Sequence, residues 1–258
     1  MWLEMLRNFL IQYVTLLLIW FLIVSLAYVW VSLRRERRRI LPFSEVLDGL
    51  QKWEKNEKIE LVSAWNDRER TAVSKCFEAA WEKGKFAEKE YRLPRFYIQK
   101  NGKIKQITNQ KIGTDIWNAF REELEAGLDD YKFESCEHTG YPDKRLVSNT
   151  GKNYAFEEKA TSGWDDKNDG LRMVICSSTT RLRKTFEPPI NHIWALLYYG
   201  YRFESEECVC TLYSLQLHFP EPQTPVTTKM EIATSKKILG DAVENKDHKK
   251  VSFGTLPE

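Results

Sequence analysis

The sequence predicts an α+β protein with one N-terminal transmembrane helix followed by a cytosolic domain, helices first and an antiparallel β-sheet after. Three observations carry this expectation. Residues 8–33 contain no charged side chain; residues 44–92 place apolar side chains near 3.6-residue spacing; and the second half of the chain alternates apolar and polar residues between turn-forming clusters. The 258 residues suit one large domain or two small ones. With 42% hydrophobic and 13% aromatic residues there is material for a core, which excludes a collagenous or wholly disordered chain.

The uncharged run Asn8–Leu33 is 26 residues long. As a helix it spans about 39 Å, against a hydrocarbon core of about 30 Å. Trp2, Phe9, Tyr28 and Trp30 lie near its ends, where aromatic belts are expected. Ser25-Leu26-Ala27 offers a small-residue cleavage site, but the run exceeds a signal peptide's apolar region and RRERRR follows it. The expected organisation is therefore a short extracytoplasmic terminus at 1–8, a transmembrane helix at 9–33 and a basic juxtamembrane collar at 34–43. A cytosolic α+β domain at 44–219 and a polar, flexible tail at 220–258 complete it.

Charge is distributed unevenly. Residues 1–40 hold six basic residues against Glu4 and Glu36, whereas the remainder holds 33 basic and 35 acidic residues. Overall charge therefore does not indicate nucleic-acid binding. Arg34, Arg35, Arg37, Arg38 and Arg39 form the collar, and by the positive-inside rule they place the N-terminus outside and the rest in the cytoplasm of a bacterial inner or plasma membrane. The expected partners are the bilayer and its anionic headgroups, at about 1 kcal/mol per basic residue. Gln12, Thr15, Ser25 and Ser32 share one helical face, which points to a homo-oligomer through the helix. A reducing compartment suits Cys76, Cys136, Cys176, Cys208 and Cys210 as free thiols.

In the cytosolic part, SEVLDGLQKW and NDRERTAVSKCFEAAWEKGKFAEKEY read as helices, with Asn66 or Asp67 as the N-cap of the second. Phe96–Ile107 reads as a hairpin with Asn101-Gly102 at its tip. Thr114–Leu128 reads as a helix, KRLVSNTGKNYAFEEKA as a hairpin turning at Asn149–Lys152, and Leu171–Thr180 as a buried strand after the polar loop Trp164–Gly170. The type of segment 188–205 is open, because a short apolar run fits either helix or strand. Cys208–Phe219 reads as a strand with Val209, Thr211, Tyr213, Leu215, Leu217 and Phe219 on one face. A short helix is expected at Met230–Val243.

Chemistry concentrates at Pro142-Asp143 and Glu157-Glu158-Lys159. Many metal-dependent nucleases place an Asp at the start of one strand and E-x-K on the next. The carboxylates hold a divalent cation that activates water, and the lysine steadies the attacking or phosphate oxygen. A turn at Asn149–Lys152 pairs Ser148 with Asn153 and sets Asp143 opposite Glu158. The bland alternative is a surface hairpin with solvated charges, since Asp165-Asp166-Lys167, Glu244-Asn245-Lys246 and Asp247-His248-Lys249 have similar form. No dedicated metal site is named: Cys208 and Cys210 share a strand face with His218, but eight residues, about 26 Å, separate Cys210 from it. His138 and His192 are candidate bases without a recognisable nucleophile. Thr150-Gly151-Lys152 lacks the upstream glycine of a P-loop. Arg181, Arg183 and Lys184 are a candidate anion site, and Arg92, Arg95, Lys100, Lys103, Lys105 and Lys111 mark the first hairpin as basic.

Three functions fit these observations. The first is a membrane-anchored protein whose cytosolic domain binds a ligand or protein partner, with readout at the membrane, as in a bacterial stress or phage-defence effector; catalysis is not its main expectation, and the cofactor question is left open by the sequence. The second is a metal-dependent nuclease or other hydrolase using Asp143, Glu157 and Lys159. The third is a structural subunit of a larger complex, docked through the tail or the Tyr/Trp-rich segment 193–203.

Overall fold

The computed structural model describes residues 13–29, 38–137, 141–162, 174–176, 178–231, 237–241 and 249–256. The chain divides into two compact units, residues 1–39 and 40–258. The first unit contains helix α1 over residues 13–29. Its 17 residues extend about 26 Å. Among the described residues no helix is long and apolar enough to cross a membrane, which corrects the transmembrane helix expected over 9–33. The uncharged run is longer than the described helix, and it is helix length that must match a core of about 30 Å. Arg34, Arg35 and Arg37 lie outside the described residues.

After strand β1 (Arg38–Pro42), the second unit runs α2 (Phe43–Trp53), α3 (Asp67–Gly84), β2 (Glu90–Pro94), β3 (Phe96–Ile98), β4 (Ile104–Gln106), α4 (Asn109–Glu125), β5 (Tyr131–Ser135), β6 (Lys144–Ser148) and β7 (Asn153–Thr161). It continues with β8 (Val174–Cys176), α5 (Thr180–Thr185), β9 (Asn191–Glu204), β10 (Glu207–Phe219), β11 (Pro225–Glu231), β12 (Lys237–Asp241) and β13 (Lys249–Gly254). The principal sheet has the order β13-β10-β9-β7-β6-β5, with β2 also paired to β10. It is mixed rather than antiparallel, because β7 and β9 run parallel. A second sheet has the order β1-β11-β12-β8, and β3 with β4 forms a separate ribbon.

Local sequence explains the helix ends. Asn66 caps α3 by accepting from the Arg68 N–H at 2.8 Å, and Lys85 closes it in the left-handed conformation at φ 50°. α4 begins five residues before the expected Thr114, because Thr108 caps it at the Lys111 N–H.

The principal sheet is covered on both faces. Ile193, Ala195, Leu197 and Tyr199 of β9 pack with Phe77, Ile112, Ile116 and Phe120 of α3 and α4. Trp194, Leu196 and Tyr198 pack with Phe43, Leu47 and Leu182 of α2 and α5. Within segment 188–205, Asn191–Glu204 is therefore a strand, apolar at successive positions over Ile193–Tyr199, as a strand buried on both faces must be. Ile193–Tyr199 is core and offers no partner a docking surface.

Two sequence expectations about the last third are also corrected. The helix expected at Met230–Val243 gives way to β11 and β12, and the expected flexible tail contributes β13, which pairs with β10 from Ser214↔Gly254 to Phe219↔Lys249. Polar composition concealed β13 because only Phe253 of this strand is buried. Gly254 ends the strand at φ +75°, and a Cβ there would lie 2.2 Å from the Tyr213 carbonyl oxygen. The Cys208–Phe219 strand carries a register shift between Leu212 and Ser214. This bulge puts Cys208, Cys210 and Leu212 in the same core as Leu215, Leu217 and Phe219, where unbroken alternation grouped Val209 with Leu215.

A buried polar chain ties the second face together. Trp194 Nε1 donates to Tyr141 Oη at 3.0 Å, Tyr141 Oη lies 2.7 Å from His192 Nδ1, and His192 Nε2 lies 3.1 Å from the Leu61 carbonyl. A carbonyl only accepts, so Nε2 carries the proton and Nδ1 accepts from Tyr141. The histidine considered as a general base is thus a fully buried neutral core residue. Burial pushes its pKa down to about 4.

Two outcomes follow. Because the unfolded chain binds the His192 proton more readily, stability falls as pH drops from about 6.5 to about 4, by up to about 3 kcal/mol. Urea unfolding of wild type and His192→Gln across that window should show a smaller pH-dependent loss in the variant. Gly254→Ala should cost roughly 1–3 kcal/mol, read as a lowered melting temperature, since it meets both positive φ and backbone.

Candidate active site at the open edge of β7

The hairpin of β6 and β7 leaves the ladder one residue earlier than sequence spacing suggests. Val147 pairs with Asn153 and Lys144 with Phe156, so Ser148–Lys152 is a five-residue connection rather than a four-residue one. Gly151 at φ +84° and hydrogen bonds from the Ser148 N–H to the Lys152 carbonyl (2.8 Å) and from the Lys152 N–H to Ser148 Oγ (3.0 Å) fix it. Asp143 consequently lies beside Glu157 rather than opposite Glu158. The ladder with β6 ends at Phe156, while β7 continues five residues to Thr161 with β9 beside it. Asp143 occupies the opening where β6 leaves β7.

Reciprocal bonds hold it there. The Asp143 N–H donates to Glu157 Oε2 at 3.1 Å, and the Glu158 N–H donates to Asp143 Oδ2 at 3.0 Å. Lys159 Nζ donates to Glu157 Oε1 and, at 3.0 Å, to the Glu158 carbonyl, and it lies 3.6 Å from Asp143 Oδ2. One ammonium therefore sits among three oxygens from three residues. Arg181 of α5 donates to the Pro142 carbonyl and steadies the peptide ahead of Asp143.

Glu157 is 2% exposed. Burial pushes its carboxyl up to about 8, with Asp143 adding to the rise and Lys159 opposing it. Burial also works against the Lys159 ammonium, but the carboxylates of Glu157 and Asp143 outweigh it and hold the lysine above its usual value. On the opposite face of β7, Glu158 Oε2 pairs with Arg121 of α4 at 2.6 Å. Burial raises the Glu158 pKa against the pull of Arg121.

Between α4 and this edge lies a crevice of about 440 Å³, lined by Asn109, Gly113, Thr114, Trp117, Asp143 and Lys159 among others. Trp117 Nε1 and Glu158 Oε1 beside it are buried without hydrogen-bond partners. The contribution of α4 was invisible in sequence, since nothing in spacing links residues 109–121 to 157–159. The Glu158 carbonyl was equally hidden, because main-chain donors leave no mark on composition.

Other candidates fall elsewhere. Arg183 donates to Gln51 Oε1 at 2.8 Å and to the Glu57 carbonyl at 2.6 Å, and Lys184 is exposed. Arg181 and Arg183 are thus occupied with protein oxygens. Cys208 and Cys210 have Sγ atoms 3.9 Å apart in the first core, burial raises both thiols, and the bulge turns His218 to the other face. Among the described residues no group of three or more His, Cys, Asp or Glu side chains is placed to hold a metal ion. His138 and Trp164–Gly170 lie outside the described residues. No known protein family, curated protein or solved structure matches the chain.

Because Lys159 compensates a buried carboxylate, its removal should act through Glu157. Above about pH 8, where Glu157 is ionised, Lys159→Met should cost roughly 3–5 kcal/mol. Near pH 6 the carboxyl takes up a proton and the cost should shrink. Chemical denaturation at both pH values checks this, and an equal cost at both would refute it.

Proposed function

We propose that this chain is a divalent-cation-dependent hydrolase of phosphodiesters. The observation that carries the reading is the position of Lys159 Nζ, in contact with Glu157 Oε1 and the Glu158 carbonyl and 3.6 Å from Asp143 Oδ2, with Asp143 and Lys159 among the residues that line a crevice. Two carboxylate oxygens and a carbonyl around one positive charge are the hard oxygen donors that Mg²⁺ takes while keeping several of its waters. The ammonium marks where positive charge is favoured; a divalent cation held by the same oxygens would supply charge neutralisation at a phosphate and an activated water.

In this reading Asp143, Glu157 and the Glu158 carbonyl would hold the cation, and Lys159 would supply a hydrogen-bond donor to the attacking water or a phosphate oxygen. As an ammonium it donates hydrogen bonds there and does not act as base. The net reaction consumes one water: its oxygen bonds to phosphorus, the bond from phosphorus to the leaving oxygen breaks, and the leaving oxygen gains a proton. The other proton passes to solvent.

The alternative that the sequence ranked first, a ligand- or partner-binding domain, would use the same crevice without cleavage. Purified full-length protein, incubated with plasmid DNA and with a chromogenic phosphodiester in Mg²⁺ or Mn²⁺, separates the two. Cleavage that EDTA stops, and that Asp143→Asn and Glu157→Gln each reduce by roughly 10²-fold or more, is the expected result. Activity unchanged in both variants removes the hydrolase reading.

A further inference from the structure

We infer that the β3–β4 hairpin is an arm that grips double-stranded DNA and directs it to the crevice between α4 and β7. Its functional consequence rests on the hydrolase reading; the binding itself does not.

Residues 91–114 hold six basic side chains and no acidic one, in a chain with 37 acidic residues among 258. Some of these cations are already engaged. Arg92 pairs with Glu207 at 2.6 Å and Glu90 at 3.3 Å, and Lys111 pairs with Asp115 at 2.8 Å. Lys100, Lys103 and Lys105, around the tip, are exposed and make no ion pair among the described residues. The fold thus neutralises the base of the hairpin and leaves its tip cationic.

The same tip is apolar where solvent alone would favour polar residues. Ile98 and Ile104 are a cross-strand pair, 74% and 73% exposed, and Phe96 lies on their face. The base is fixed: the Arg95 N–H donates to the Glu206 carbonyl and the Ile107 N–H to the Arg95 carbonyl, each at 2.8 Å, and Ile107 is buried. The Arg95 guanidinium lies over the rings of Phe96 and Phe203, 5.3 and 4.8 Å from their centroids. A rigid root, unpaired lysines and an exposed isoleucine pair describe a projecting ribbon with a polyanion as its complement.

Duplex DNA fits that ribbon. Two strands about 4.8 Å apart with their side chains enter a major groove about 12 Å wide. Lysines face the phosphates and the isoleucines meet base-edge methyl groups or wedge at a base step. The deep, narrow major groove of duplex RNA does not admit such a ribbon. Beyond Gln106, residues Ile107 and Thr108 lead directly into α4, whose segment 109–118 lines the crevice carrying Asp143 and Lys159. DNA held by the arm therefore lies along the helix that walls the site.

The test is binding without turnover: anisotropy of a short labelled duplex with full-length protein in EDTA. Substituting Lys100→Gln, Lys103→Gln and Lys105→Gln together should weaken binding about tenfold or more. It should also shallow the slope of log affinity against log salt by roughly 2 to 3, at about 0.9 per lost phosphate contact. Ile98→Ser with Ile104→Ser should weaken binding while leaving that slope unchanged. Unfolding midpoints equal to wild type confirm that these exposed changes leave the fold intact. Duplex binding unaffected by the triple variant, or lysine-dependent binding stronger to single strands, duplex RNA or phosphatidylglycerol vesicles, overturns the inference. Hairpin-dependent duplex binding without any cleavage removes the hydrolase reading and leaves the arm; cleavage with hairpin-independent binding does the reverse.

Discussion

The carboxylate of Glu157 is the constraint around which the second unit is arranged. It is nearly inaccessible, on a strand with a neighbour along its length, and a buried charge costs several kcal/mol unless compensated. Compensation comes from Lys159 two residues along the same strand and from the Asp143 N–H across the gap. These contacts require β6 to leave β7 where it does. An extra ladder pair would give the edge of β7 a backbone partner and leave no opening for Asp143. Terminating the ladder and assembling the cluster are therefore one structural event.

The sheet supplies the rigidity this needs. β7 is held parallel to β9 from Tyr154↔Asn191 to Thr161↔Tyr198, and β9 is covered on both faces by aromatic and aliphatic side chains. The Trp194–Tyr141–His192 chain secures the face below the site, and Tyr141 immediately precedes Pro142 and Asp143. On the opposite face, the Arg121–Glu158 pair fastens α4 to the strand that bears Glu157 and Lys159. The site is thus built on strands and a packed helix, and its exposed parts, the crevice mouth and the β3–β4 ribbon, extend from that framework.

Legibility followed the range of the interactions. The Asn101-Gly102 hairpin, the α3 cap at Asn66 and the apolar face of α4 were readable because turns, caps and helical periodicity are set by neighbours within a few residues. The identity of Asp143, Glu157 and Lys159 was readable as residue types, but their register was not: a single extra loop residue, Ser148, moves Asp143 from Glu158 to Glu157. The bulge at Leu212–Ser214 misled in the same way, exchanging the faces of the Cys208 and Leu215 halves of one strand. An uncharged run was read as a membrane span on length, whereas the described helix α1 is shorter than the run. β13 was missed because an edge strand with one buried residue has the composition of a tail.

By itself, the sequence determined local conformations, the basic character of residues 91–114 and the presence of an acidic and lysine-bearing hairpin. Each of these depends on residue type and near-neighbour spacing. The tertiary structure alone decided the parallel pairing of β7 with β9, the register that joins Asp143 to Glu157, and the placement of α4 against the open edge. Those depend on contacts between segments far apart in the chain, where burial on two faces and the partnering of one buried carboxylate select among registers that local sequence permits equally.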